Sequence, residues 1–338
     1  MELVKFNLPK FIYDFLFSME EKGRREGTII RYGYYLEEFC DWLKANQKTD
    51  VTFELWKGLT EEDFFTYYTQ ELITNRSYSK ESLMRIESVL TQLYLFYKEQ
   101  HPEIISPAMT LDKKKLAERH LSKDDFITEA DFNQLIRTMD SLEGLTKNQL
   151  KCREMLIRRN ISIATLFYKY GLMMSEVLAI AMHDLNFGLN FENRRYIRVD
   201  NQRIPGLKRE VDISLDDAKL IMDYLNDIPL PVRPKHNSSD PLFVAFDFYR
   251  LTFRWVYDDD DKVDNGKPKA LSRLAIQKMI REEAKRAGLP KGATAQQMRN
   301  SAILRDIQKG ETDEAIMKKY GLLTSMGLRR YRAYAKEK

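Results

Sequence analysis

The sequence predicts a mainly α-helical protein of two domains with one small β-hairpin. In residues 1–110 the apolar positions recur only at helical spacing. Residues 111–127 are polar and basic, as expected of a linker between domains. Residues 128–338 combine helical patterns with two short stretches that alternate between apolar and polar residues, which is typical of strands. The chain has 338 residues, which is enough for two domains with cores of their own.

Four helices are predicted in the first domain. The apolar positions of the first helix lie three or four residues apart: Phe11, Phe15 and Met19. The second helix is expected to begin with Thr28 as its N-cap, after a break that contains two glycines. Thr60 and Asp63 predict a capping box at the start of the third helix. Ser79 is expected to open the fourth helix.

The second domain begins at Thr128, which is expected to cap a helix. A long apolar helix follows at about 152–170, and the strands are predicted at 196–199 and 210–213 around a Pro-Gly turn. Further helices are predicted at 215–225 and 272–287 and in the C-terminal segment.

The overall composition indicates a soluble globular protein, because 43% of the residues are hydrophobic and 31% are charged. The net charge of +4 is compatible with binding to nucleic acid but is common in other proteins. The longest apolar stretch, 161–174, contains Lys169 and is shorter than the roughly 20 residues of a membrane span. No signal peptide is recognised at the N-terminus. We therefore expect a cytoplasmic protein that does not enter a membrane.

The chain has two cysteines, Cys40 and Cys152, which lie far apart in the sequence. Neither has a second cysteine or a histidine at the spacing of a metal site, so both are interpreted as free thiols in a reducing compartment. No glycine-rich phosphate loop is present in the sequence. We expect no metal and no cofactor.

Three motifs in the second half carry the strongest functional signal. Residues 170–178 read Tyr-Gly-Leu-Met-Met-Ser-Glu-Val-Leu, and residues 294–301 read Thr-Ala-Gln-Gln-Met-Arg-Asn-Ser. Residues 316–322 end in Tyr-Gly-Leu, and Tyr331 follows nine residues after Leu322. In their order and spacing these motifs resemble those of the tyrosine recombinases and phage integrases. The resemblance covers nearly the whole chain.

The resemblance implies a set of catalytic positions, and several of them carry other residue types here. Met173 stands where the family has an arginine, Gln296 stands where it has the first histidine of a Thr-Pro-His-x-Leu-Arg-His-Ser box, and Leu322 replaces the histidine of a Leu-Gly-His segment. Arg299 matches the arginine of the box, and Tyr331 matches the nucleophilic tyrosine. The hairpin lysine of the family falls near residues 202 and 203, which are Gln and Arg.

These substitutions bear on chemistry, because the family's arginines and histidines stabilise the charge on a scissile DNA phosphate. Met173 and Leu322 cannot donate a hydrogen bond, and Gln296 offers only neutral donors. Loss of one such donor costs roughly 100- to 1000-fold in rate. We therefore expect a protein that has lost strand cleavage and is not an enzyme, with only vestigial catalytic positions.

The resemblance also implies a fold, a helical core-binding (SAM-like) domain followed by an integrase-like α+β domain, which together clamp double-stranded DNA. Candidate DNA contacts near the junction of the first two helices are Lys22, Arg24, Arg25 and Arg31. Those on the fourth helix, which enters the major groove in the family, are Ser79, Lys80 and Arg85. Those in the hairpin are Arg203 and Lys208. Those nearer the C-terminus are Lys278, Arg281, Lys285, Arg299, Arg329, Arg330 and Tyr331.

Alternative roles that involve no DNA contact stay open for several of these residues. The basic face at Lys278, Arg281 and Lys285 is equally explained by solvation. Arg299 could form a structural ion pair, and Tyr331 could be a nucleophile, a DNA contact or a core residue.

The leading functional hypothesis is a sequence-specific DNA-binding repressor of a prophage that maintains lysogeny, and the whole-length pattern also resembles a recombinase-like repressor of SPβ-type prophages. The alternatives are an active site-specific recombinase that uses Tyr331, with Arg299, Lys208 and Arg203 as charge stabilisers, or an accessory protein of recombination that does not cleave DNA. The expected partners are double-stranded DNA and a regulatory protein or peptide that relieves binding. Monomer and dimer both remain possible.

Overall fold

The prediction of a mainly helical fold with a small β-sheet is confirmed. The computed structural model describes residues 6–108, 120–188, 194–201, 207–256 and 266–336. The chain divides into two compact units, Met1–Arg119 and His120–Lys338. Most of the predicted linker, including residues 113–115, lies outside the described residues. The predicted domain limits at 110 and 128 stay a prediction.

The N-terminal unit is built from helices. Their bounds are Lys10–Glu21 for α1, Glu26–Gln47 for α2, Phe53–Lys57 for α3, Glu61–Thr66 for α4 and Lys80–Tyr97 for α5. Helix α4 continues with π-type hydrogen bonding through Tyr67–Asn75. The predicted apolar faces form one core, in which Leu16, Leu36 and Leu83 are fully buried.

Two of the predicted caps in this unit are present, and one is wrong. Thr60 and Asp63 form the capping box of α4, and the hydroxyl of Ser79 accepts the backbone N–H of Ser82 at the start of α5. Thr28, however, lies inside α2, whose N-cap is Arg25. The chain reverses directly after α1, so the N–H of Thr28 already donates to the carbonyl of Arg25 in the first turn of α2.

The C-terminal unit contains the remaining helices and every strand of the described residues. Its helices are Glu129–Asp140 for α6, Lys147–Tyr168 for α7, Met174–Ala179 for α8, Leu215–Asp227 for α9, Arg273–Arg286 for α10, Ala295–Gln308 for α11, Asp313–Tyr320 for α12 and Met326–Lys336 for α13. The predicted cap at Thr128 is present at α6. The long apolar helix begins earlier than predicted, because Thr146 and Gln149 form a capping box ahead of it.

The predicted hairpin belongs to a three-stranded antiparallel sheet of β1 (Leu185–Asn186), β2 (Tyr196–Asp200) and β3 (Lys208–Asp212), in the order β1-β2-β3. Ile197 pairs with Val211, and both are buried. Neighbouring side chains of a strand point to opposite faces. Arg209, two residues before Val211, therefore lies on the face of the sheet that packs against the core.

Besides β1, four further two-residue strands were not predicted from the sequence. They are Phe246–Asp247 for β4, Thr252–Phe253 for β5, Trp255–Val256 for β6 and Lys267–Pro268 for β7, and they pair as β4-β5 and β6-β7. Strands of this length are too short to show a period of two.

Helix α7 runs through the core of the C-terminal unit and packs against α6, α9 and α11. Its C-terminal part carries Ile163, Ala164 and Phe167, which are fully buried. Cys152 on α7 and Cys40 on α2 are both free and buried. No helix among the described residues is long and apolar enough to cross a membrane. The same residues contain no group of three or more side chains suited to a metal ion.

Candidate active site and nucleic-acid interface

The carboxylate of Glu176, fully buried in the first turn of α8, holds the candidate active site together. One of its oxygens accepts the backbone N–H of Met173 at 2.7 Å. The guanidinium of Arg209, on β3, donates to both oxygens, at 2.6 and 3.0 Å. Arg299, on α11, places Nη1 at 3.9 Å from the same carboxylate. One buried carboxylate thus joins two guanidinium groups that come from different elements.

Arg299 is only 4% exposed, and both Nη1 and Nη2 donate to groups of the protein. It donates to the backbone carbonyl of Gly171 and, at 2.7 Å, to that of Tyr320. Burial lowers the pKa of Arg299, and Arg209 acts in the same direction, whereas Glu176 opposes the shift. The structural ion pair that the sequence left open is therefore present. A phosphate contact by Arg299 stays a prediction.

The backbone at Gly171 requires glycine for two reasons. Its φ is +61°, a conformation that L side chains rarely adopt. A Cβ there would also lie 2.3 Å from Cε1 of Tyr320. The glycine lets the chain turn from α7 into α8 and leaves its carbonyl for Arg299.

Arg209 is the functional candidate that sequence reasoning missed. Its Nε donates to the carbonyl of Lys319 at 3.0 Å, so Arg209 links β3 to α12 as well as to Glu176. The side chain is 11% exposed. A signal was available, because the alternation of the strand places Arg209 on the buried face with Val211. Its positive charge lies close to Met173, whose own side chain carries no charge.

Tyr331, on α13, is buried and 4% exposed. Its hydroxyl donates to Oδ1 of Asn300 at 2.7 Å, and Nε2 of Gln296 donates to the same oxygen at 2.7 Å. Nδ2 of Asn300 in turn donates to the carbonyl of Asp125 at 2.8 Å. The guanidinium of Arg330 lies 5.4 Å from the ring centroid of Tyr331. In this structure Tyr331 has the contacts of a core residue, and its roles as nucleophile and as DNA contact stay predictions.

Met173 and Leu322 border this cluster without adding a donor from their side chains. Met173 is partly exposed, and Leu322 is partly buried against the cluster that contains Ile316 and Tyr320. The side-chain hydrogen bonds of the cluster therefore come from the arginines and from Asn300 and its partners.

The hairpin candidates divide. Nζ of Lys208 lies 3.3 Å from the carboxylate of Asp200, and both side chains are about half exposed. Arg203 lies outside the described residues. The described strands therefore place no lysine beside Arg299. The cationic hairpin residue that shares the carboxylate of Glu176 with Arg299 is Arg209.

The basic candidates of the N-terminal unit lie on its surface. The four around the junction of α1 and α2 are all exposed: Lys22, Arg24, Arg25 and Arg31. Nζ of Lys22 lies 5.9 Å from the ring of Phe96. On α5, Arg85 is exposed and Lys80 is partly exposed, while Ser79 is occupied as the N-cap. Exposure is what a phosphate contact requires, and the contacts themselves stay predictions.

The candidates on α10 and α13 are also on the surface. Lys278, Arg281 and Lys285 are exposed, and Lys278 forms a solvent-exposed pair with Glu282 at 3.8 Å. Arg329 and Arg330 are exposed on α13. Arg299 and Tyr331 differ from the other candidates, because burial keeps both from the surface in this structure.

Comparison with known proteins identifies the fold. No family model matches the chain. Tyrosine recombinase XerD of Staphylococcus aureus is 23% identical over 309 residues, which are 90% of this chain and 87% of XerD. Among solved structures, the Tn1549 transposon integrase in complex with transposon right end DNA has a TM-score of 0.62 at 12% identity and covers 97% of this chain and 98% of its own.

Two further solved structures agree with this result. The XerH site-specific recombinase bound to palindromic difH substrate, a post-cleavage complex, has a TM-score of 0.61 at 15% identity and covers 92% of this chain and 77% of its own. A lambda integrase dimer bound to a COC' core site has a TM-score of 0.57 at 12% identity and covers 96% of this chain and 95% of its own. The chain therefore has the tyrosine recombinase fold over nearly its whole length.

The comparisons correct one expectation from the sequence. The substitutions at Met173, Gln296 and Leu322 predicted a protein that is not an enzyme. That prediction is contradicted, because the similar curated protein is a tyrosine recombinase and the similar structures include a site-specific recombinase after cleavage of its substrate. The substitutions remove donors from the motif positions only. Arg209 brings a cation from β3, which lies outside those motifs.

Proposed function

Because the chain has the tyrosine recombinase fold, we propose that it binds a specific site on duplex DNA and exchanges strands there as a recombinase, with Tyr331 as the nucleophile. The observation that carries this proposal is the pair of guanidinium groups on Glu176. Two cations and one carboxylate leave a net positive charge, which suits a phosphate. Tyr331 bonds to Asn300, the neighbour of Arg299 in the chain, so nucleophile and cation share one cluster.

Arg209 has a defined part in this proposal. It supplies the second cation that Met173 does not, from β3 instead of α8. The chemistry needs positive charge near the phosphate oxygens, whichever element delivers it. Attack by Tyr331 also requires its hydroxyl to leave Asn300, so we expect DNA binding to shift α13, which packs through Leu328 and Tyr331.

The test is capture of fragmented source-genome DNA by the purified protein, followed by denaturation in hot detergent. A recombinase leaves a covalent protein–DNA adduct that survives this treatment, and Tyr331→Phe abolishes the adduct. Tyr334→Phe is the matched control, because Tyr334 is also buried on α13. An adduct that persists in Tyr331→Phe would contradict the assignment of the nucleophile.

The second candidate function is a prophage repressor that maintains lysogeny by occupying its site, relieved by a regulatory protein or peptide. The observation that favours it is that Arg299 and Tyr331 lie buried and donate to groups of the protein. Enclosure of a promoter blocks polymerase by occupancy alone. Enriched fragments near promoters, together with repression of a reporter from those promoters by both wild-type protein and Tyr331→Phe, are expected if this candidate holds. Enrichment at recombination junctions with no effect on the reporter would contradict it.

A further inference from the structure

A cavity of about 950 Å³ lies within the C-terminal unit, and none of the residues of the Glu176 cluster lines it. Its walls come from α7, α10 and the segment around β4. Sites for small organic molecules have volumes of roughly 300–1,000 Å³. The cavity therefore has room for a ligand other than water.

A buried guanidinium forms part of the wall. Arg159, on α7, is 4% exposed and has only neutral acceptors, Oδ1 of Asn160 at 3.1 and 3.3 Å and the carbonyl of Val244 at 3.2 Å. No carboxylate pairs with it within the part of the chain that the structure describes. These three bonds use three of the five N–H donors of a guanidinium, so two remain. A buried cation without an anion is unfavourable.

The neighbouring arginines of this wall differ from Arg159, because each of them pairs with a carboxylate. Arg153 and Arg286 share the buried carboxylate of Glu283. Both also donate to carbonyls at the C-terminal end of α6, where the helix dipole favours positive charge. Even so, Nε of Arg153 is buried without a partner. Glu283 is thus shared by two arginines, and it forms no pair with Arg159 among the described residues.

The remaining lining combines positive charge with an apolar surface. Among the lining residues seven are cationic and two, Glu282 and Glu283, are carboxylates. Phe246 and Phe248 stand on one wall with ring centroids 5.3 Å apart, and Phe248 is 64% exposed. An anionic group would meet the arginines, and an apolar body would cover the aromatic wall.

We propose that this cavity is a binding site for a small organic anion, whose carboxylate or phosphate group pairs with Arg159 and whose apolar body lies against Phe246 and Phe248. Both kinds of group match the planar fork of a guanidinium. At 4% exposure Arg159 lies too deep for the backbone of a duplex, which favours a small molecule as the occupant.

Binding at this site affects DNA if the proposed function holds, and this part of the inference rests on that function. Lys278 and Lys285 line the cavity and are also predicted to contact DNA phosphates. An anion in the cavity competes for the same positive charge. We expect the protein saturated with ligand to bind duplex DNA more weakly, which would make the cavity an effector site.

The first experiment is calorimetric titration of the full chain, without DNA, with inorganic phosphate, hexanoate, benzoate and adenosine monophosphate. At least one organic anion is expected to bind more tightly than inorganic phosphate. Binding by the two carboxylates alone, or by the nucleotide alone, identifies the anionic group. If none of the four binds, or if inorganic phosphate binds as well as the others, the proposal is overturned.

The variants locate the binding. Arg159→Met is expected to weaken it by on the order of tenfold or more, because a bond to a charged group is lost. Arg158→Met is the matched control, since Arg158 precedes it on α7 and pairs with Asp227 outside the cavity lining. Ala275→Trp, at an exposed lining position, fills the cavity without removing a charge and is also expected to block binding. Unchanged affinity in both Arg159→Met and Ala275→Trp would place the ligand elsewhere and refute the site.

Fluorescence anisotropy of a labelled duplex from the capture experiment separates the two ideas. Weaker duplex binding at saturating ligand supports the coupling. Equal duplex affinity with and without bound ligand removes the coupling and leaves the site. Ligand binding by a protein with no affinity for any duplex would overturn the proposed function and leave the site as well.

Discussion

Replacement of Glu176 by glutamine tests the charge balance of the candidate active site. The carboxylate is fully buried and joins Arg209, Arg299 and the N–H of Met173. Gln keeps the shape and an acceptor but removes the charge, so two guanidinium groups remain buried beside each other. Breaking a buried ion pair from one side costs about 3–5 kcal/mol. For a unit of this size each kcal/mol lowers Tm by about 2–4 °C, so we expect a decrease of roughly 6–20 °C.

The assay is thermal unfolding followed by circular dichroism, with Glu282→Gln as the control. Glu282 is an exposed residue on α10, and its pair with Lys278 is solvated, so its loss is expected to change little. Arg209→Met combined with Glu176→Gln removes one of the two stranded cations and should recover part of the loss. A decrease of less than about 2 °C in Glu176→Gln would refute the idea that this carboxylate holds the arginines together.

Four further outcomes are expected. In a salt titration of duplex binding, Arg281→Ala should reduce the slope of log K against log salt by about one if Arg281 contacts a phosphate; an unchanged slope argues for a solvated residue. Gly171→Ala should unfold at a lower temperature than the wild type, because it combines a φ of +61° with a close approach to Tyr320, and equal stability would contradict the steric argument. Burial raises the pKa of Cys40 from 9.0 to about 12. Its thiolate fraction at pH 8 is then about 1000-fold lower than that of a free thiol, so a disulfide reagent should label it only after unfolding; rapid labelling of the native chain at Cys40 would exclude that environment. Because the raised pKa favours the folded state only while the thiol is protonated, the contribution of Cys40 to stability should be complete below pH 9 and fall between pH 9 and 12.

Local signals were the part of the fold that the sequence could specify. The caps at Thr60, Ser79 and Thr128 depend on bonds that span three residues, so the residue types at those positions decide them. The predicted N-cap at Thr28 was wrong because the chain enters α2 soon after the end of α1, three residues earlier than predicted. No property of Thr28 itself indicates this earlier start. The two strands of the hairpin were predicted from their alternation, whereas their register, with Ile197 opposite Val211, comes from the structure.

The candidate site was harder, because its contacts are long in sequence. Arg209 lies 33 residues from Glu176 and 110 residues from Lys319, and only the packing of β3 brings the three together. Arg299 was identified from its motif, but the motif does not show that its donors bond to the carbonyls of Gly171 and Tyr320. Residue type and spacing thus located an arginine without revealing its partners.

The same distinction explains why the motif positions alone gave the wrong expectation about activity. Met173 and Leu322 remove two donors from their own positions, and a count of motif residues ends there. Stabilisation of a phosphate depends on the field at its oxygens, and a cation from any element contributes to that field. Arg209 reaches Glu176 from a strand, so the cluster holds two guanidinium groups and one carboxylate despite the loss at Met173. If Arg209→Met abolishes the Tyr331 adduct while Arg194→Met, which removes a partly exposed arginine beside the same sheet, retains it, the missing charge is supplied by β3.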